Sequence, residues 1–195
     1  MKKILIAAMV MCLALPMWGQ SKTVNLKKDA KKIQKKEVSK KDVTPDGDKV
    51  KLYDENIDAM EQIDRALDQA RESGRLVICQ VGGNWCPWCL RFADFISKDA
   101  EISQLIEKNF VYIHVDYSPR EFKNDPARKE RSEKMMKRLG NPARFGFPVL
   151  VILDNEGRVM HIQNSSYLEE EKSYNFKKVM EFFQNWTREA IDDLK

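Results

Sequence analysis

The sequence predicts an α/β domain, a central mixed β-sheet with helices on both faces. Three observations carry this. Helical and strand-like patterns follow one another as helix, strand, helix, strand, helix, hairpin, helix, an order that layered α/β domains require. Residues 76–81 are apolar almost without interruption, as in a strand covered on both sides. The Asp154-Asn155-Glu156-Gly157 turn joins two β-like runs into a tight antiparallel hairpin, so the sheet is not all parallel.

The chain has 195 residues, enough for one domain plus extensions, and is 43% apolar and 33% charged. Residues 1–20 carry Lys2 and Lys3, a short apolar run and a break near Gly19, the layout of a secretory signal peptide. The apolar run falls short of the roughly 18 residues that span a bilayer, so no stable membrane insertion is expected after cleavage. Bulky Met11 before Cys12 argues against a lipid anchor there. Residues 21–51 hold eleven lysines against five acids and no aromatic residue. Such a stretch buries too little to offset ordering entropy and reads as a disordered linker. The basic excess sits in these ends, which leaves residues 52–195 net acidic and gives no reason to expect nucleic-acid binding.

Within the domain, Asp54 or Asn56 is placed to cap a helix that buries Ile57, Met60, Ile63, Leu67 and Ala70, with Gly74 at its end. Strand 76–81 follows, and Gly82-Gly83 turn the chain into a helix whose buried side is Phe92, Phe95 and Ile96. Asp99 starts a further helical turn with Ile102, Leu105 and Ile106. Residues 110–117 alternate, Val111, Ile113 and Val115 against Tyr112, His114 and Asp116, a second strand parallel to the first after its crossover. Residues 118–144 are densely charged. Asp125-Pro126 opens a helix there, Met135, Met136 and Leu139 line it, and Gly140 ends it. Strand 148–153, the turn, strand 158–163 and an amphipathic helix over 175–194 complete the order.

The chemistry lies in Gly83-Asn84-Trp85-Cys86-Pro87-Trp88-Cys89. A Cys-x-x-Cys after a strand and at the start of a helix reads as a redox pair. Unpaired N–H groups and the helix dipole at that point favour a thiolate on Cys86. Pro87 suits the first helical turn. Cys89, one turn on, is placed to attack a mixed disulfide formed by Cys86. Cys79 on the incoming strand is either a buried small residue or a third redox thiol. His114 and His161 with one Cys-x-x-Cys fall short of a zinc ligand set, and no phosphate loop or Ser-His-Asp set is visible, so neither metal nor cofactor is expected.

Trp85-Cys86-Pro87-Trp88-Cys89 resembles the active site of the thioredoxin superfamily in its Trp-Cys-x-x-Cys form. Gly146-Phe147-Pro148-Val149-Leu150-Val151-Ile152-Leu153-Asp154 resembles that family's cis-proline loop and following strand. The resemblance runs over about residues 56–194, with 118–144 as an enlarged helical insert before the cis-proline loop. It implies a thioredoxin-like fold, a Cys86–Cys89 disulfide with Cys86 exposed and Cys89 more buried, and Pro148 in the cis form facing the pair. Trp85, Trp88, Phe147 and Pro148 would meet the substrate. Many members carry a buried Asp where this chain has Gln80, and an amide cannot act as a base. Either water or another group takes that part, with Asp116 on the neighbouring strand a candidate, or the pair exchanges protons more slowly.

The implied function is an exported, periplasmic or secreted thiol–disulfide oxidoreductase that reduces disulfides of substrate proteins and is itself reduced by an upstream thiol or a membrane electron donor. The alternatives are a disulfide oxidase or isomerase, and a non-catalytic interaction module with a structural disulfide.

Overall fold

The computed structural model describes residues 51–192. The expected signal segment 1–20, nearly all of the linker 21–51 and the end of the last expected helix lie outside the described residues.

A four-stranded mixed sheet forms the centre. Its strands are β1 (Leu76–Gly82), β2 (Phe110–Asp116), β3 (Val149–Leu153) and β4 (Val159–Asn164), in the spatial order β2-β1-β3-β4. β1 pairs parallel with β2, Leu76 opposite Phe110, and antiparallel with β3, Val77 opposite Leu153. β3 and β4 form the antiparallel hairpin, whose register shifts at Ile152/Leu153. In the hairpin turn, Asp154 Oδ1 accepts the backbone N–H groups of Glu156 and Arg158, and Gly157 takes a φ of 81° that favours glycine.

Side chains alternate across β1, so one strand feeds two cores. Val77, Cys79 and Val81 face α1 (Ala59–Ser73) and α4 (Pro126–Arg138). There Ile63, Ala66, Leu67 and Ala70 of α1 meet Met135 and Met136 of α4, together with Leu139 just beyond it. Leu76 and Ile78 face α2 (Pro87–Lys98), α3 (Ala100–Asn109) and α5 (Phe176–Asn185), where Phe92, Ile96, Ile102, Phe110 and Phe183 are packed. Burying each large side chain of this kind contributes about 1.5–3 kcal/mol, which is how a short sheet holds five helices.

Three local expectations are corrected. α1 is capped by Asp58, whose carboxylate accepts from the Met60 and Glu61 N–H groups, rather than by Asp54 or Asn56. Ile57 therefore precedes the helix and is exposed instead of lying on its buried face. The last helix is broken: α5 ends at Asn185, and a short α6 (Arg188–Asp192) restarts after Thr187, whose hydroxyl accepts from the Ala190 N–H. Between β4 and α5 runs a segment without an expected element. It holds a 3-10 turn, Ser165–Leu168, and a two-stranded ribbon of β5 (Glu169–Glu170) and β6 (Ser173–Tyr174). Elements this short carry no periodicity to read, yet the ribbon places Tyr174 against α2.

Candidate active site

β1 ends at Gly82 and Gly83 follows, two positions where a side chain would crowd its neighbours. A Cβ on Gly82 would lie 2.5 Å from Cys89 Sγ, and one on Gly83 would lie 2.4 Å from Trp85 Nε1. The chain then enters α2 with Cys86 as N-cap in extended backbone and Pro87 in the first turn, where its missing N–H is no loss. Cys86 and Cys89 are disulfide-bonded, with their Cα atoms 5.2 Å apart. The Cys89 backbone N–H points at Cys86 Sγ, 3.2 Å away. When reduced, that sulfur faces an N–H donor and the positive end of the helix dipole, the environment that holds a cysteine as its thiolate.

Opposite the pair, the Phe147–Pro148 peptide is cis. Phe147, Trp88 and Leu52 pack against the buried cluster of Cys86, Cys89 and Tyr53. Trp85 stands one step outside. It meets the Phe147 ring edge-on at 5.6 Å, donates its indole N–H to the Tyr117 carbonyl and remains 39% exposed. Tyr117 stacks on the other side of Phe147 at 5.5 Å. Trp88 is pinned from outside by Arg91, 4.5 Å over its ring, and meets Tyr174 edge-on. The side chains singled out in the sequence thus converge on one rim, and Pro148 adjoins it.

Cys86 differs from the expectation of an exposed sulfur. It is 4% exposed against 0% for Cys89. The order of exposure runs as the resemblance implies, but both cysteines are buried in a small apolar cluster with Tyr53, against which Leu52, Trp88 and Phe147 pack. Tyr53 and Leu52 are the unforeseen members of that cluster, contributed by the segment that enters the domain.

Beneath the pair lies a polar network inside the core. Gln80 is wholly buried. Its amide N–H groups go to the Tyr53 hydroxyl at 2.5 Å and the Cys89 carbonyl at 3.0 Å, and its oxygen accepts from the Tyr112 hydroxyl at 2.6 Å. Both N–H groups and the oxygen of the amide have a partner, which is what makes its burial tolerable. Tyr53 is held from its backbone by Asn84, whose side chain accepts the Tyr53 N–H and donates to its carbonyl at 2.7 Å. The asparagine inside the motif therefore ties the start of the domain onto the active site. Burial pushes the Tyr53 and Tyr112 phenols well above their ordinary range, so both stay protonated.

Asp116, the candidate for the missing acid, is already engaged. Its carboxylate is taken up by Arg128, 2.8 Å away, and by the Ser118 hydroxyl. Burial raises its pKa, against the pull of those two partners. The charged insert thus has a structural use, since α4 delivers Arg128 to the end of β2. Cys79 is buried on the opposite side of the sheet from Gln80, and its thiol is pushed up to about 12, an inert group. His114 and His161 are far apart in use: His114 packs edge-on against Tyr53 and Tyr112, while His161 stacks on Trp186. Among the described residues no group of three or more His, Cys, Asp and Glu is arranged to hold a metal, and no helix is long and apolar enough to cross a membrane.

Sequence reading missed Tyr53, Asn84, Tyr112 and Tyr174. Asn84 lay within the motif, and Tyr53 was a lone aromatic residue at the edge of a polar stretch; those were the available signals.

Comparison with known proteins agrees with this geometry. Residues 50–194 match the Thioredox_DsbH family, described as a protein of unknown function, DUF255. The chain belongs to this family. That places it within the thioredoxin superfamily. Over 95 residues it is 24% identical to a protein named disulfide bond reductase DsbH from Chlamydia pneumoniae, a match covering 48% of this chain and 54% of that one. It therefore aligns with about half the length of this curated relative. Its fold is similar to the crystal structure of a disulphide isomerase from Xylella fastidiosa Temecula1, with a TM-score of 0.56 and 22% identity, covering 68% of this chain and 94% of the other. A solution structure of a thioredoxin from Thermus thermophilus gives 0.46 and 18%, covering 68% and 88%.

Proposed function

We propose that this protein is an exported thiol–disulfide oxidoreductase that reduces disulfides of substrate proteins. The observation that carries the reading is a Cys86–Cys89 disulfide with Cys86 as the N-cap of α2 and a backbone N–H aimed at its sulfur. In the dithiol form, the Cys86 thiolate attacks one sulfur of a substrate disulfide, and the other substrate sulfur leaves as a thiolate. Cys89 then attacks Cys86, the internal disulfide forms and the second substrate sulfur is released. Trp88, Phe147 and the more exposed Trp85 supply an apolar rim for the substrate chain, and Cys86, which holds the pair's remaining exposure, is the sulfur a substrate meets first.

The reductive direction is supported by the name of the Chlamydia pneumoniae relative, and export by the signal-like residues 1–20. An upstream thiol or membrane electron donor would regenerate the dithiol. The test is reduction of insulin driven by a dithiol donor, with Cys86→Ser as control. Turnover by the natural chain and none by the variant is the expected result. The reduction potential of the pair sets direction: a value near about −270 mV marks a reductant, one near about −120 mV an oxidant.

The burial of Cys86 favours one other reading, an interaction module whose disulfide is structural. Absence of insulin turnover, together with reduced thiols that resist alkylation at neutral pH, would decide for it.

A further inference from the structure

The resolving cysteine needs to ionise in a buried site, and burial alone disfavours the charged form. Cys89 is fully buried, and the strand position beneath it holds Gln80, an amide with no free N–H to offer. Its two N–H groups are committed to Tyr53 and to the Cys89 carbonyl, and its oxygen to Tyr112. Tyr53 is different. Its hydroxyl oxygen accepts from Gln80, so its own hydrogen must point elsewhere, and among the described residues it is given to no oxygen or nitrogen acceptor. A Cβ built on Gly82 would lie 2.5 Å from Cys89 Sγ and 3.0 Å from the Tyr53 hydroxyl oxygen. Sulfur and phenol thus border the same small space, which Gly82 leaves open.

Resting on the redox reading above, we propose that the Tyr53 hydroxyl donates a hydrogen bond to Cys89 Sγ once the disulfide opens and holds that sulfur as the attacking thiolate. The arrangement is built for it. Asn84 fixes the Tyr53 backbone, Gln80 turns the phenol oxygen, and Gly82 clears the gap. Burial holds the phenol protonated, so Tyr53 gives a hydrogen bond and keeps its proton. In the resolving step the Cys89 thiolate attacks Cys86 Sγ of the mixed disulfide. The Cys86–Cys89 bond forms, the bond from Cys86 to the substrate sulfur breaks, and the substrate sulfur leaves with the electron pair. It takes up from water a proton equivalent to the one Cys89 released on ionising. The dithiol is oxidised by two electrons and the substrate disulfide reduced by two.

The other titratable groups around Tyr53 and Cys89 are Cys86 on α2, Tyr112 and His114 on β2, Tyr174 on β6, and Asp116 paired with Arg128. Burial holds His114 down to about 4, so it is neutral across the working range.

The test is an NMR titration of cysteine 13Cβ in the Cys86→Ser protein, with and without Tyr53→Phe. Loss of the hydroxyl should raise the Cys89 midpoint by about one unit, tenfold less thiolate at a given pH below it. With Cys86 present, Tyr53→Phe should slow release of a Cys86 mixed disulfide about tenfold at neutral pH, and the deficit should vanish above the new midpoint. Should Tyr53→Phe fail to fold, 3-fluorotyrosine placed at position 53 decides the matter. It is nearly the same size with a more acidic phenol, and should move the Cys89 midpoint down. A midpoint that stays put in the folded variants overturns the role of Tyr53. Failure of the natural chain to reduce insulin, whatever the Cys89 midpoint, would instead strike the redox reading itself.

Discussion

Replacing Gln80 by leucine tests the buried network where it is most committed. Leucine matches the space but removes all three hydrogen bonds at once. The Cys89 carbonyl lies inside α2, where the helix offers it another partner. The Tyr53 hydroxyl loses its Gln80 bond inside the core, and the Tyr112 hydroxyl loses its own at a half-buried residue. Each orphaned group costs about 1–3 kcal/mol, so the variant should be about 2–4 kcal/mol less stable after allowing for leucine's apolar contribution. The assay is urea unfolding of the oxidised protein, read as a fall in midpoint at constant slope. A second arm isolates the hydrogen bond from packing. Adding Tyr112→Phe removes the stranded hydroxyl, so the double variant should recover about 1–2 kcal/mol relative to the sum of the two single variants. A Gln80→Leu cost below about 1 kcal/mol, or strict additivity of the pair, would refute the claim that these hydrogen bonds make the buried amide stable.

Other predictions follow from single groups. Burial lowers His114 from its ordinary value to about 4. The unfolded chain therefore binds more protons than the folded one between that value and the ordinary histidine range, so stability rises with pH through this window and is lost as pH falls through it. Between pH 7 and 5, His114 should account for a loss of about 1–2 kcal/mol, seen as a smaller pH effect in His114→Gln during urea unfolding. Cys79 should resist alkylation in the folded protein at pH 8 and react fully in denaturant, as mass spectrometry would show; rapid labelling of the folded chain would mean the strand opens or the thiol is not inert. Asn84→Ala should cost about 1–3 kcal/mol and raise hydrogen exchange at the Tyr53 amide, since its side-chain acceptor is gone. Unchanged exchange there would show that Leu52 and Tyr53 hold their place without the asparagine.

The sequence alone determined the parts of this protein that follow from local spacing. The nearly continuous apolar run of β1 fits the middle of a sheet, the glycines and Pro87 force a turn into a helix, and two cysteines one helical turn apart bring their sulfurs into bonding range. The periodicity of α1, α2 and α4 fixed which faces are buried, and the turn at Asp154 fixed the hairpin. Tertiary structure decided what depends on residues distant in the chain. Tyr53 and Gln80 are brought together, as are Arg128 and Asp116, and no local pattern announces a hydroxyl or a guanidinium arriving from another element. The apolar cluster of Tyr53 with Cys86 and Cys89, packed against by Leu52, Trp88 and Phe147, arises the same way, from segments distant in the chain. The break after Asn185 and the ribbon carrying Tyr174 are too short for any period to show, and they form because the packing around them satisfies their backbone groups. Spacing along a chain thus specified the Cys86–Cys89 pair, while contacts across the fold set the surroundings of those sulfurs.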